Sequence, residues 1–170
     1  QTLLSSISGA GIYRNWNSDG PTVPELYSFL NLRDSTDGIW NPSDYNPDLI
    51  VVALGTNDLS RGDGVNPRLP FSQEDFVKEY INFLKKIINW NPGSKIVITD
   101  SPMVTGERTV LHACLNKIKA QIKTDLDKEI HVFTYSPVKA RGCTGHPGIE
   151  DHTMMADEIA PFLSKVLNNI

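Results

Sequence analysis

Two cysteines, Cys114 and Cys143, are all that the 170 residues contain, too few for a disulfide scaffold or a zinc cluster. Positive charge is not in surplus either. Sixteen Lys and Arg stand against twenty Asp and Glu, a net charge of −4, which argues against a protein that tracks nucleic-acid phosphates on a basic face. No apolar run approaches the length that crosses a bilayer, and the longest β-type run, Leu49 to Leu54, has a strand's length. Internal repeats and low-complexity segments are absent as well. Hydrophobic residues at 39% and charged residues at 21% supply one core and too little charge for disorder, so residues 1–170 read as a single domain.

Three short, continuous, β-branched runs read as strands of a sheet covered on both faces: Leu49 to Leu54, Lys95 to Asp100 and Ile130 to Tyr135. A weaker strand is read at Thr2 to Ile7. Phe76, Tyr80, Phe83, Leu84, Ile87 and Ile88 recur at helical spacing behind a Ser72 cap, and Asn91-Pro92-Gly93 stops them. Val110 to Leu126 and Met155 to Val166 mark two more helices, the last carrying Pro161, which is expected to kink or restart it. The stretch Gly11 to Asp48 reads as a long crossover with one short helix near Pro24 to Asn31. Strands alternating with amphipathic helices predict a three-layer α/β/α sandwich with a mostly parallel, flavodoxin-like sheet.

Ligands of such sheets bind outside the carboxyl ends of the strands, which singles out Ser8 to Gly11, Gly55 to Asp58, Ser101 to Met103 and the loop from Ser136 to Ile149. Within these, Asn57 follows the strongest strand and offers an amide donor to a developing oxyanion. His146, on a glycine-rich loop before the last helix, is placed for general-base work. His131 falls in a strand and His112 and His152 fall in helical patterns, where packing or surface roles are the ordinary expectation. Ser8-Gly9-Ala10-Gly11 offers backbone N–H groups but is no dinucleotide fingerprint. Asp58 and Asp63 lack metal-ligand spacing.

Taken together, a Gly in the first of these loops, Gly55-Thr56-Asn57-Asp58, and His146-Pro147 before the last helix resemble the SGNH (GDSL-type) hydrolases. Ser8-Gly9-Ala10-Gly11-Ile12-Tyr13-Arg14-Asn15 with Val23-Pro24-Glu25-Leu26-Tyr27 is more narrowly similar to carbohydrate esterase family two, whose members remove acetyl groups from plant cell-wall polysaccharides such as xylan. The resemblance implies a secreted esterase, without metal or organic cofactor, acting on an acetylated polysaccharide or oligosaccharide. It also implies His146 as general base, with the Gly9 N–H and the Asn57 amide in the oxyanion hole. Nucleic acid and membrane are not expected partners. Two alternatives stay open: an SGNH lipase or thioesterase on longer acyl esters, and a non-catalytic carbohydrate-binding or interaction domain.

Two departures from the resemblance carry expectations of their own. The Gly-Asp-Ser nucleophile motif occurs nowhere in the sequence, and Ser5, Ser6 and Ser8 are candidates by position alone. Where many relatives place an Asp three residues before the histidine, this chain has Cys143, so His146 Nδ1 is expected to face a backbone carbonyl of the Gly142 to Gly145 loop, or an acid from elsewhere. The chain begins at Gln1 without Met, as if cut inside a folded element. If Thr2 to Ile7 is the second strand, the first is expected from a preceding segment or a companion chain, with the nucleophile at its end. The secretion implied by the resemblance also permits a Cys114–Cys143 pair.

Overall fold

The computed structural model describes residues 1–41, 44–104 and 106–168. In chain order the elements are α1 (Val23–Leu26), β1 (Phe29–Asn31), β2 (Asp34–Ile39), β3 (Leu49–Val52), α2 (Thr56–Leu59), α3 (Gln73–Trp90), β4 (Lys95–Thr99), α4 (Arg108–Leu126), β5 (His131–Phe133), a 3₁₀ turn at Cys143–Gly145, and α5 (Ile149–Asn168). The three apolar runs form one parallel sheet in the order β3-β4-β5. Leu49 is in register with Lys95, and Val97 with His131.

Layering follows from strand alternation. Ile96 and Ile98 of β4 enter the core with Phe76, Tyr80, Leu84 and Ile87 of α3 and with residues of α4. Val97, on the opposite face of β4, is also buried, and α5 lies against β4 and β5. The cap of α3 is as read, with the Ser72 hydroxyl accepting from Asp75 N–H. The last helix is continuous through Pro161 and does not restart there.

Three expectations are corrected. Thr2 to Ile7 forms no strand; the segment is irregular, with Leu3 and Leu4 64% and 83% exposed, because among the described residues no ladder partner lies beside it. The expected Pro24 to Asn31 helix is a single turn, α1, followed by an antiparallel hairpin of β1 and β2. Asx turns divert the chain: Asn31 Oδ1 accepts from Arg33 N–H and Asp34 Oδ1 from Thr36 N–H, bonds that compete with helix continuation. An aromatic cluster of Tyr27, Trp40 and Trp90 ties the hairpin to the end of α3. Cys114 and Cys143 are unbonded, the first buried in α4 and the second exposed on the His146 loop.

Candidate active site

The turn after β3 is built around Gly55, whose φ of +125° and whose approach to Leu111 and Phe76 (3.0 and 3.3 Å from where a Cβ would stand) leave room for no side chain. It delivers Asn57 and Asp58 to two different tasks. The Asn57 amide donates to Ala10 C=O at 2.7 Å, which uses one of its two N–H bonds. Asp58 is fully buried and accepts from Ile12, Tyr13 and Arg14 N–H at 2.9, 2.9 and 3.3 Å. Burial pushes its carboxyl above the ordinary carboxylate value, and those N–H groups pull the other way.

Two arginines complete the staple. Arg14 Nε donates to Asp58 C=O at 2.7 Å. Arg68 donates to Asn15 C=O and Asn57 C=O, each at 2.6 Å, bridging the two loops. Asn15 closes its own loop, accepting from Gly11 N–H at 3.1 Å and donating to Gly20 C=O at 2.6 Å. The position of Gly9 relative to Asn57 is therefore set by a dense set of bonds to backbone groups.

His146 sits on the loop between β5 and α5. Its Nδ1 is 3.2 Å from Cys143 C=O and 3.0 Å from Thr144 Oγ1, whose hydroxyl donates to the same carbonyl at 2.7 Å. Because the threonine proton is committed to the carbonyl, the bonding pattern assigns the proton to Nδ1 and leaves the Nε2 lone pair free. Thr144 holds φ +55°, an unusual backbone for a β-branched residue. Gly142 N–H donates to His146 C=O at 2.7 Å, and a Cβ on Gly142 would stand 2.7 Å from that oxygen. Behind the loop, the buried Asp151 of α5 accepts from Arg141 and Gly148 N–H, both at 2.9 Å, and from Arg141 Nη1 at 3.0 Å. Those N–H groups hold its carboxyl below the usual range.

Gly9, Asn57 and His146 line one cleft of about 800 Å³, together with Ser8, Trp16 and Met103. Residues from four separate loops thus meet where the strands end. Ser5 and Ser6 do not line it, and among the described residues no serine bonds to His146. Sequence reasoning missed Trp16, Thr144, Arg14 and Arg68. The arginines bind carbonyls far away in the chain and leave no local pattern, whereas Asp58 was visible beside Asn57 but not its task.

The comparisons with known proteins agree with this architecture. The chain is 25% identical over 171 residues to an acetylxylan esterase / glucomannan deacetylase of Cellvibrio japonicus, covering 99% of this chain and 45% of the relative. It is 26% identical over 168 residues to the cellulase/esterase CelE of Acetivibrio thermocellus, covering 94% of this chain and 19% of that protein. The solved structure of a family two carbohydrate esterase from Cellvibrio japonicus superposes with a TM-score of 0.81 at 26% identity, over 94% of this chain and 46% of that one. One from Clostridium thermocellum in complex with cellohexaose superposes at 0.82 and 21% identity, over 95% and 49%. The chain thus spans about half, or less, of the relatives it matches, and shares the SGNH hydrolase fold with them. The profile of the GDSL-like lipase/acylhydrolase family matches residues 3–159, and the chain belongs to that family.

Proposed function

We propose that this chain carries the general-base and oxyanion-hole part of an extracellular carbohydrate esterase that removes acetyl groups from a plant cell-wall polysaccharide. The observation that carries the reading is the shared cleft of Gly9, Asn57 and His146, with Nδ1 of the histidine tied back and Nε2 free. A serine hydroxyl attacks the acetyl carbonyl while His146 Nε2 takes its proton. The carbonyl oxygen, now an anion, is held by the Gly9 N–H and the second Asn57 N–H. The intermediate collapses, His146 returns the proton to the departing sugar oxygen, and a water deprotonated by the same nitrogen releases acetate from the serine.

The serine is proposed to arrive on a strand lying along the open edge of β3, supplied by another segment or a companion chain. Among the described residues β3 ends the sheet and pairs with β4 alone, so its outer row of backbone groups is open to a further strand. Ser8 is the second reading for the nucleophile, favoured only by its place on the cleft wall.

A serine-directed phosphonate, located by peptide mass, separates the two readings in the whole protein. Replacing Asn57 by Ala is expected to lower kcat for acetate release by roughly 10²–10³ with little change in KM. Equal kcat in the variant removes the oxyanion assignment. Faster turnover of long acyl esters than of acetyl esters points instead to a lipase.

A further inference from the structure

A second cavity, of about 190 Å³, opens beside the ester cleft. Leu59, Ser60, Arg61 and Glu107 line both and so form the wall between them. The side cavity is also lined by Arg14 and Arg68. Three of the six arginines in a chain of net charge −4 therefore line one small space.

Their bonding does not neutralise them. Arg14 spends Nε and Nη1 on the carbonyls of Asp58 and Leu69, and Arg68 spends Nη1 and Nη2 on those of Asn15 and Asn57. Among the described residues neither forms an ion pair. The Asp58 carboxylate nearby is occupied by the N–H groups of residues 12–14. Arg68 Nε is buried without a partner. The carboxylate on the lining, Glu107, meets Arg61 only at 4.0 Å, with Arg61 88% exposed. Burial, and then the adjacent Arg14 charge, pull the Arg68 guanidinium below its ordinary value.

Clamping two loops explains the inward N–H groups of Arg14 and Arg68. It does not explain why two guanidinium charges are half-buried side by side with no anion bonded to them, which is a costly arrangement. Nor does it explain a third arginine on the same lining. Guanidinium forks suit planar carboxylates, bound by paired N–H bonds. The space equals roughly six waters at ~30 Å³ each, enough for a carboxylate and the ring carbon that bears it.

We propose that this side cavity is a carboxylate subsite that seats a uronate unit of the acetylated polysaccharide while the ester lies in the neighbouring cleft. The proposal rests on the esterase reading for the identity of the sugar chain, and on the arginine cavity for the charge. Arg61, exposed and held among the described residues only by its long pair with Glu107, is the residue that tunes it, and Glu107 opposes it.

The test is calorimetric titration of the whole protein with two unacetylated xylo-oligosaccharides of equal length, one neutral and one bearing a single glucuronate. The acidic one is expected to bind about tenfold more tightly at low salt. The advantage should shrink at about 0.5 M salt, fall to near unity in Arg61→Glu and rise in Glu107→Gln. The readout is the ratio of the two affinities within each protein, because Arg61 and Glu107 also line the ester cleft. Equal affinity for the two sugars in the wild type overturns the proposal, as does an advantage untouched by Arg61→Glu. Displacement of the acidic sugar by free acetate at equal concentration also overturns it, since the cavity then takes the product anion. Acetate release is measured separately on acetylated forms of the same sugars. Acid-selective binding without acetate release removes the esterase reading and leaves the subsite, and acetate release with no acid preference does the reverse.

Discussion

The hydroxyl of Thr144 stands 3.0 Å from Nδ1 of His146 and shares the carbonyl of Cys143 with it. In the proposed reaction a neutral hydroxyl and a carbonyl occupy the place where a carboxylate would otherwise orient the base. Their contribution is to fix the tautomer and the ring.

Thr144→Val keeps the β-branched shape at the same backbone angle and removes only the hydroxyl. It is expected to lower kcat about three- to tenfold, the worth of one neutral hydrogen bond, with KM unchanged, while Thr144→Ser stays near wild type. Nitrogen NMR of His146 should show the Nδ1–H tautomer weakened in the valine variant. Equal loss in Ser and Val would make the role one of packing instead.

Gly142→Ala places a Cβ about 2.7 Å from the carbonyl oxygen of His146, so the histidine must shift. A 1 Å displacement at a reacting group costs on the order of 10²-fold. The expected outcome is a fall in kcat of that order with a melting temperature within a few degrees of wild type. A large loss of thermal stability instead would show the loop to be part of the folding core.

Asp58→Ala leaves the Ile12, Tyr13 and Arg14 N–H groups without their acceptor in a buried site. A destabilisation of about 3 kcal/mol is expected from unsatisfied buried donors, which lowers Tm by roughly 6–12 °C in a domain of this size. Differential scanning calorimetry measures it. An unchanged Tm would mean that water replaces the carboxylate.

Asp58 and Asp151, both buried, respond to pH with opposite signs. The depressed value of Asp151 means that its stabilisation of the His146 loop is present above its unfolded value, near 3.8, and is lost as the pH falls through its lower folded value. The raised value of Asp58 means that its contribution is fully present below 3.8 and is lost as the pH rises through the higher folded value. Amide hydrogen exchange at decreasing pH should therefore show residues 141–148 loosening below about pH 4, while residues 11–14 keep their protection longer. Asp151→Asn should remove that acid-induced step. Its persistence in the variant would assign it to another group.

The sheet was legible because β3, β4 and β5 are written as unbroken apolar runs, although only β4 is buried on both faces and β3 and β5 are partly exposed. Thr2 to Ile7 was not, since a strand exists only where a neighbour pairs with it, and pairing is not written in six residues. The hairpin escaped because Asp34-Ser35-Thr36-Asp37-Gly38-Ile39 has poor strand composition and is held by Asx turns and an aromatic cluster. At the site, Asn57 and His146 stood out through the loops that carry them. Thr144 did not, because a left-handed threonine is dictated by the fold around it, and Arg68 did not, because its partners lie 53 and 11 residues away.

Among the described residues no strand pairs with the outer side of β3, and this has a colloidal consequence. Leu49-Ile50-Val51-Val52-Ala53-Leu54 is a six-residue window without charge, proline or glycine, the composition that stacks into cross-β fibrils when its backbone groups are left to pair with copies of themselves. Whatever strand fills that edge also acts as the protein's gatekeeper against self-templating. Solutions in which the edge is vacant should shed soluble material with concentration-dependent, seedable kinetics, and a lysine placed at Val51 should slow that loss.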